Sequence, residues 1–260
     1  MTRVDQAGLC DVARGGQPLL SQREIEDNAE RDFVAQNRDA NRLLGAMLDE
    51  SSSKLSSLSG EHLSDSQKFR VFMLSQSWNA AVSAVLQLRR GFPRTALLVP
   101  RFISEGVVAA IWAENDPEAA EQCMQDYSEG KKWPVGTWPD RKVMAEALPR
   151  WYDDNALEAF RLFRDTENIL YSHALSDLAI DAVRADSPQL EVLLGMRTTK
   201  LSEIAARHLV PTLAALLYAI ARLVDEVTGA NTSAAAQLHN QALEWSVDNP
   251  PEVHIRDRRA

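Results

Sequence analysis

The stretch TKLSEIAARHLVPTLAALLYAIARLVDEVT, residues 199–228, decides the fold. Its charges collect near the two ends, its middle is apolar on nearly every side, and Gly229 follows as a stop. A helix apolar all round must be surrounded by other protein, so this one is expected to be central and the most buried of a bundle. The longest apolar run, Leu209 to Ala221, is 13 residues long and includes Pro211. A membrane span needs about 20 apolar residues, so the run fits a core helix and no membrane segment is expected.

Outward from this helix the apolar spacing is helical nearly everywhere. Downstream, a last helix is expected over Ser233 to Ser246, and Asn249-Pro250-Pro251 begins a polar tail expected to be mobile. Upstream, Ala185 to Thr198 reads as a turn or an extended piece. A long helix is expected from Asp153 to about Val183, separated by Pro149 from a short one over Asp140 to Leu148. Gly130 to Pro139 reads as irregular and carries Trp133 and Trp138. Asp116-Pro117-Glu118 combines a cap, a first-position proline and an acid in the first turn, and should start a helix reaching Ser128.

A helix from about Arg94 to Glu114 contains Pro100, which predicts a kink. Before it, a helix from Ser66 to Arg90 aligns Val71, Leu74, Trp78, Val82 and Val85 on one face and ends at Gly91 and Pro93. Ser75, Asn79 and Ser83 form a second stripe, of small polar residues, suited to a close helix neighbour. The first helix opens at Ser21 with Glu24 three residues on, a capping box. Ile25, Ala29, Phe33, Ala40, Leu44 and Met47 make a narrow stripe on this heavily charged segment, as expected of a helix on a surface or against a partner chain. Ser51 to Ser59 reads as a flexible connector. The expected organisation is therefore a flexible 1–20, an amphipathic helix with a Ser-rich linker over 21–60, a main helical domain over 61–246, and a tail over 247–260. No internal repeat and no convincing period-2 run interrupts this. The fold class is all-α, a bundle of about seven or eight helices with one long central buried helix.

The 260 residues are 45% hydrophobic and 25% charged, with a net charge of −9. That is an ordinary globular composition and excludes global disorder. The acidic total argues against a general nucleic-acid or membrane-surface binder. Two cysteines, Cys10 and Cys123, allow no disulfide framework beyond a single bridge, and the first twenty residues hold no apolar run of the secretory kind. A cytoplasmic protein with free thiols is expected.

The charge is uneven. Between Asp65 and Glu105 there is no acidic residue, yet Lys68, Arg70, Arg89, Arg90, Arg94 and Arg101 lie there, leaving −15 on the remainder. Two readings stay open: an RNA- or phosphate-binding face at Arg89, Arg90, Arg94 and Arg101, or internal balance against acids such as Asp153, Asp154, Glu158, Asp165 and Glu167. Arg101 and Glu105 stand one turn apart among apolar residues, so the pair is expected to be partly buried with further partners. His173 and Asp177 are also one turn apart, near Tyr171. They could serve as metal ligands or an acid–base pair, but no third or fourth ligand is spaced to join them, so no metal is expected. His208, one turn before Thr212, is expected to be a hydrogen-bonding core residue. No Gly-rich phosphate loop, nucleophile elbow, Cys-x-x-Cys or His-Glu-x-x-His occurs, and no cofactor is expected. Trp133, Trp138 and Trp151, with Tyr127 and Tyr152, suit either a ligand platform or a connection tied down by its own large side chains.

The run Arg90-Gly91-Phe92-Pro93-Arg94-Thr95-Ala96, followed by Arg101, Glu105 and Asp116-Pro117-Glu118-Ala119-Ala120, and later by Tyr171, Leu175, Ser176 and Asp177, resembles a bacterial family of unknown function similar to the HEPN helical domains. The resemblance covers roughly residues 66 to 182. It implies an all-α bundle, often dimeric, sometimes with toxin or phage-defence roles. HEPN ribonucleases use an arginine, four to six intervening residues and then a histidine, across a dimer interface. Here Arg164 and His173 have eight residues between them, and Ile180 and Asp181 stand where the family's downstream histidine is expected. The leading reading is a protein without assigned catalysis that acts by association, as a homodimer or on a partner, in bacterial stress or phage defence. The alternatives are a HEPN-like ribonuclease or nucleotide-binding enzyme using Arg101, Glu105, Tyr171 and His173, and a small-molecule sensor with an apolar pocket near the tryptophans.

Overall fold

The structure, a computed structural model, describes residues 22–131, 183–184, 191–192, 199–230 and 233–250. It is an all-α bundle. In chain order the helices are α1 (Gln22–Gln36), α2 (Arg38–Ser57), α3 (Asp65–Arg89), α4 (Pro93–Leu97), α5 (Pro100–Asn115), α6 (Pro117–Ser128), α7 (Thr199–Thr228) and α8 (Ser233–Asp248). One minimal antiparallel pair, β1 (Val183–Arg184) with β2 (Glu191–Val192), lies before α7. Val183 is therefore a strand residue, not the end of a helix. The expected helices over 140–148 and 153–182, the tryptophan-bearing stretch, the first twenty residues and the tail beyond 250 lie outside the described residues.

α7 is the centre of the bundle, as its composition demands. Leu209, Val210, Leu213, Ala214, Leu216, Leu217, Ile220 and Leu223 are all buried, and α2, α3, α4, α5 and α8 pack around it. Pro211 removes one backbone donor, yet the helix continues through it. One residue on, the Thr212 hydroxyl donates to the His208 carbonyl at 2.7 Å, giving that turn an additional bond. Among the described residues two stretches, Thr95–Asn115 and Ser202–Thr228, are long and apolar enough to cross a membrane, but 72% of each apolar window is buried inside the protein.

Local grammar sets most helix ends. Ser64 caps α3: its hydroxyl accepts from the Gln67 N–H at 3.2 Å, and the Gln67 side chain accepts from the Ser64 N–H at 3.0 Å. At the other end Gly91 takes φ +83°, and the N–H groups of Gly91 and Phe92 fold back to Leu88 and Gln87. This is a Schellman ending, and the left-handed φ is why glycine stands there. Asp116 caps α6 by accepting from the Ala119 N–H at 3.3 Å.

Several expectations are corrected. The Ser-rich stretch is no connector: α2 runs helically to Ser57. Ser51 is buried one turn beyond Met47, and Leu55 and Leu58 prolong the same face, so a small hydroxyl residue simply occupies a core position. The N-terminal segment is broken at Asn37 into α1 and α2. Phe33, Ala40, Leu43, Leu44 and Met47 bury in the common core, and α2 lies against α7 and α8 of its own chain. Pro100 does not kink a continuous helix. It begins α5 after a turn at Leu98 and Val99, because it has no N–H to donate to Ala96, whose carbonyl takes the Val99 N–H instead.

The close helix contact is also on a different face of α3 from the one expected. Asn79 and Ser83 are exposed, while Ser77, Ala81 and Ala84 are buried. α3 and α5 run antiparallel: Ser66 Oγ donates to the Ala113 carbonyl at 3.0 Å and Ser77 Oγ reaches the Ile103 carbonyl at 3.4 Å. Gly106 makes this approach possible, since a Cβ there would stand 2.0 Å from Ser77 Oγ and 3.2 Å from the Met73 carbonyl. α2 is antiparallel to α3 as well, tied by Trp78 Nε1 to the Leu48 carbonyl at 3.1 Å and Arg89 Nε to Asn41 Oδ1 at 2.9 Å.

Candidate functional site: a charge network and an exposed strip on α5

Of the four candidate residues, the structure describes Arg101 and Glu105; Tyr171 and His173 lie outside the described residues. Arg101 and Glu105 face outward from the first two turns of α5. Arg101 Nε donates to Glu105 Oε1 at 3.1 Å, with the two side chains 38% and 48% exposed. The expected partial burial is thus overturned. α5 turns Ile103, Ser104, Val107 and Ala110 inward, while Arg101, Phe102 and Glu105 in its first two turns face water. Phe102 is 53% exposed, and Leu98, in the turn just before α5, is 57% exposed.

Four cations of the positive stretch are each engaged by a different partner. Lys68 pairs with Asp65 at 2.7 Å, Arg89 holds Asn41, Arg90 lies 4.0 Å from Glu26, and Arg101 holds Glu105. Arg94 lies in α4, with its side chain outside the described residues. Beside Arg90 a groove of about 550 Å³ opens between α1 and the end of α3, lined by Arg23, Glu26, Asp27, Glu30 and Arg90. Three carboxylates against two guanidiniums make it a poor receptor for a phosphate.

Among the described residues the most buried cation is Arg70, which lies in the positive stretch with no role evident from spacing. Its guanidinium donates to Glu226 Oε2 and, at 3.0 Å, to Glu114 Oε2. Arg222 donates to the other Glu114 oxygen at 2.6 Å, and Gln67 to the other Glu226 oxygen at 2.9 Å. Glu114 and Glu226 stand in the last turns of α5 and α7, where a carboxylate meets the negative end of the helix dipole. Arg70 and Arg222 between them reverse that penalty and join three helix ends. Burial alone would raise the Glu226 carboxyl, but hydrogen bonds from Gln67 and Arg70, with the charges of Arg70 and Arg222, hold it below its ordinary value. No short spacing announces this network: Arg70 is 44 residues from Glu114 and 156 from Glu226. The one available signal was a lone arginine within the buried register of α3, four residues before Leu74.

Two further titratable groups pack in or against the core. His208 is fully buried in α7, and burial pushes its imidazole down to about 4, so it is neutral at physiological pH and belongs to the core. The Cys123 thiol is raised by partial burial and by Asp126, the opposite of an activated nucleophile. Among the described residues no group of three His, Cys, Asp or Glu side chains converges as a metal site. Comparison with protein-family models, curated proteins and solved structures finds no match to this chain.

Proposed function

We propose that this chain acts by association, as a helical bundle that forms homodimers, and that a HEPN-like role in bacterial stress or phage defence is the setting to test. One observation carries the reading. A helix otherwise committed to the core keeps Phe102 exposed beside an Arg101–Glu105 pair, with Leu98 exposed in the turn that leads into it. Exposed aromatic and aliphatic surface beside opposite charges is the composition of an interface. The charge network supports it by fixing the end of α5 to α3 and α7, so that the outward stripe is presented on a rigid element.

The test is sedimentation of the full chain across a range of concentrations. The mass is expected to rise from 28.9 kDa towards twice that value. A monomer at every concentration overturns the proposal. RNA and nucleotide cleavage assays run alongside: turnover by the native chain that Arg101→Ala abolishes would replace association with the HEPN-like ribonuclease as the activity.

A further inference from the structure

Resting on the reading of the chain as a self-associating bundle, we infer that the partner at the α5 stripe is a second copy of the chain, docked antiparallel across a two-fold axis so that Arg101 and Glu105 exchange partners between copies. A two-fold interface brings the same patch onto itself, and every contact occurs twice. The exposed residues Arg101, Phe102 and Glu105 of α5, with Leu98 in the turn just before it, satisfy that condition. Its cation and its acid are placed symmetrically about position 103, so in an antiparallel pair Arg101 of each copy stands opposite the partner's Glu105. Phe102 lies one residue from that centre, so the two rings meet beside the axis, and Leu98 extends the apolar contact on either side.

The reach is adequate. Packed helices lie about 8–10 Å apart, and residues four apart are separated by about 6 Å along a helix, so each guanidinium can bridge its own glutamate and the partner's. The result is a closed ring of four alternating charges around two aromatic rings. A parallel arrangement would set like charges against each other, which selects the antiparallel one. The stripe spans only two turns, so a concentration-dependent dimer is expected and not an obligate one.

The test uses charge exchange in the full chain. Arg101→Glu makes the stripe wholly acidic and Glu105→Arg makes it wholly basic. Each alone should weaken self-association at least about tenfold. A 1:1 mixture of the two variants should dimerise, and the exchanged double variant Arg101→Glu/Glu105→Arg should recover a native-like dissociation constant, because its pattern is again self-complementary. Phe102→Ala should weaken the dimer by a similar factor. All three substituted side chains are exposed, and unchanged circular-dichroism melts would show that folding is intact. If the native chain dimerises but the single variants dimerise equally well, or the mixture and the double variant fail to recover, this interface is wrong while association stands. A native chain that stays monomeric removes the underlying reading itself.

Discussion

Replacing Arg70 by methionine keeps the aliphatic stem and deletes the charge that two helix ends share. In the native chain the guanidinium side chain is 3% exposed, while Glu114 and Glu226 remain 21% and 42% exposed. Removing one member of a fully buried pair costs about 3–5 kcal/mol. Here the carboxylates keep part of their hydration, and Arg222 and Gln67 remain, so the expected loss is smaller, about 2–3 kcal/mol at pH 7. For a chain of this size that corresponds to a fall in Tm on the order of 5–10 °C. The loss should depend on pH. Glu226 has a folded-state pKa held below its unfolded value of about 4.3, so its contribution is complete above that value and disappears as pH falls through the folded one. The gap between native and Arg70→Met proteins, measured by urea unfolding, should therefore be widest above pH 5 and should narrow at pH 4 and below. A gap under about 0.5 kcal/mol at pH 7, or one that stays constant on acidification, would refute this account of the network.

Two further outcomes follow from the core. Gly106→Ala should destabilise by about 1–2 kcal/mol in thermal melts, the strain of forcing a methyl into the α3–α5 contact outweighing the gain in helix propensity; Ser77→Ala in the same chain should recover part of it, since it removes the atom 2.0 Å away, and no recovery would mean that the Met73 carbonyl or the backbone governs the spacing. His208 is neutral in the folded state down to about pH 4 but protonates near 6.5 once unfolded, so stability falls as pH drops through that window, by about 2 kcal/mol between pH 7 and pH 5. His208→Leu should flatten that slope, and an unchanged dependence of the urea midpoint on pH would contradict it.

Elements governed by nearest neighbours were legible in the sequence. α7 begins and ends where Thr199 and Gly229 indicate, α6 starts on Asp116-Pro117, and Gly91 closes α3, because capping and left-handed turns are settled within a few residues. Features decided by depth were not. Serines 51–57 carry loop statistics, but tertiary packing placed Ser51 in the core and kept the segment helical. The contact face of α3 is not the one that Ser75, Asn79 and Ser83 suggest, because Ser66 and Ser77, which meet α5, are equally small. Only the position of Gly106 on α5 separates them. The Arg101–Glu105 spacing was plain and its exposure was not, since the hydropathy of α5 averages over a buried face and a wet one.

The wide separation of the network's members bears on biosynthesis. A ribosome adds about 5–20 residues each second, so roughly 8–30 s pass between the synthesis of Arg70 and that of Glu226. Through that interval the nascent α3 carries a cation on the face that α7 will later cover, with Glu114 as the sole network carboxylate yet made. The apolar surface awaiting α7 thus has a hydrated charge at its edge, which discourages premature collapse or capture by another chain until the C-terminal helices arrive.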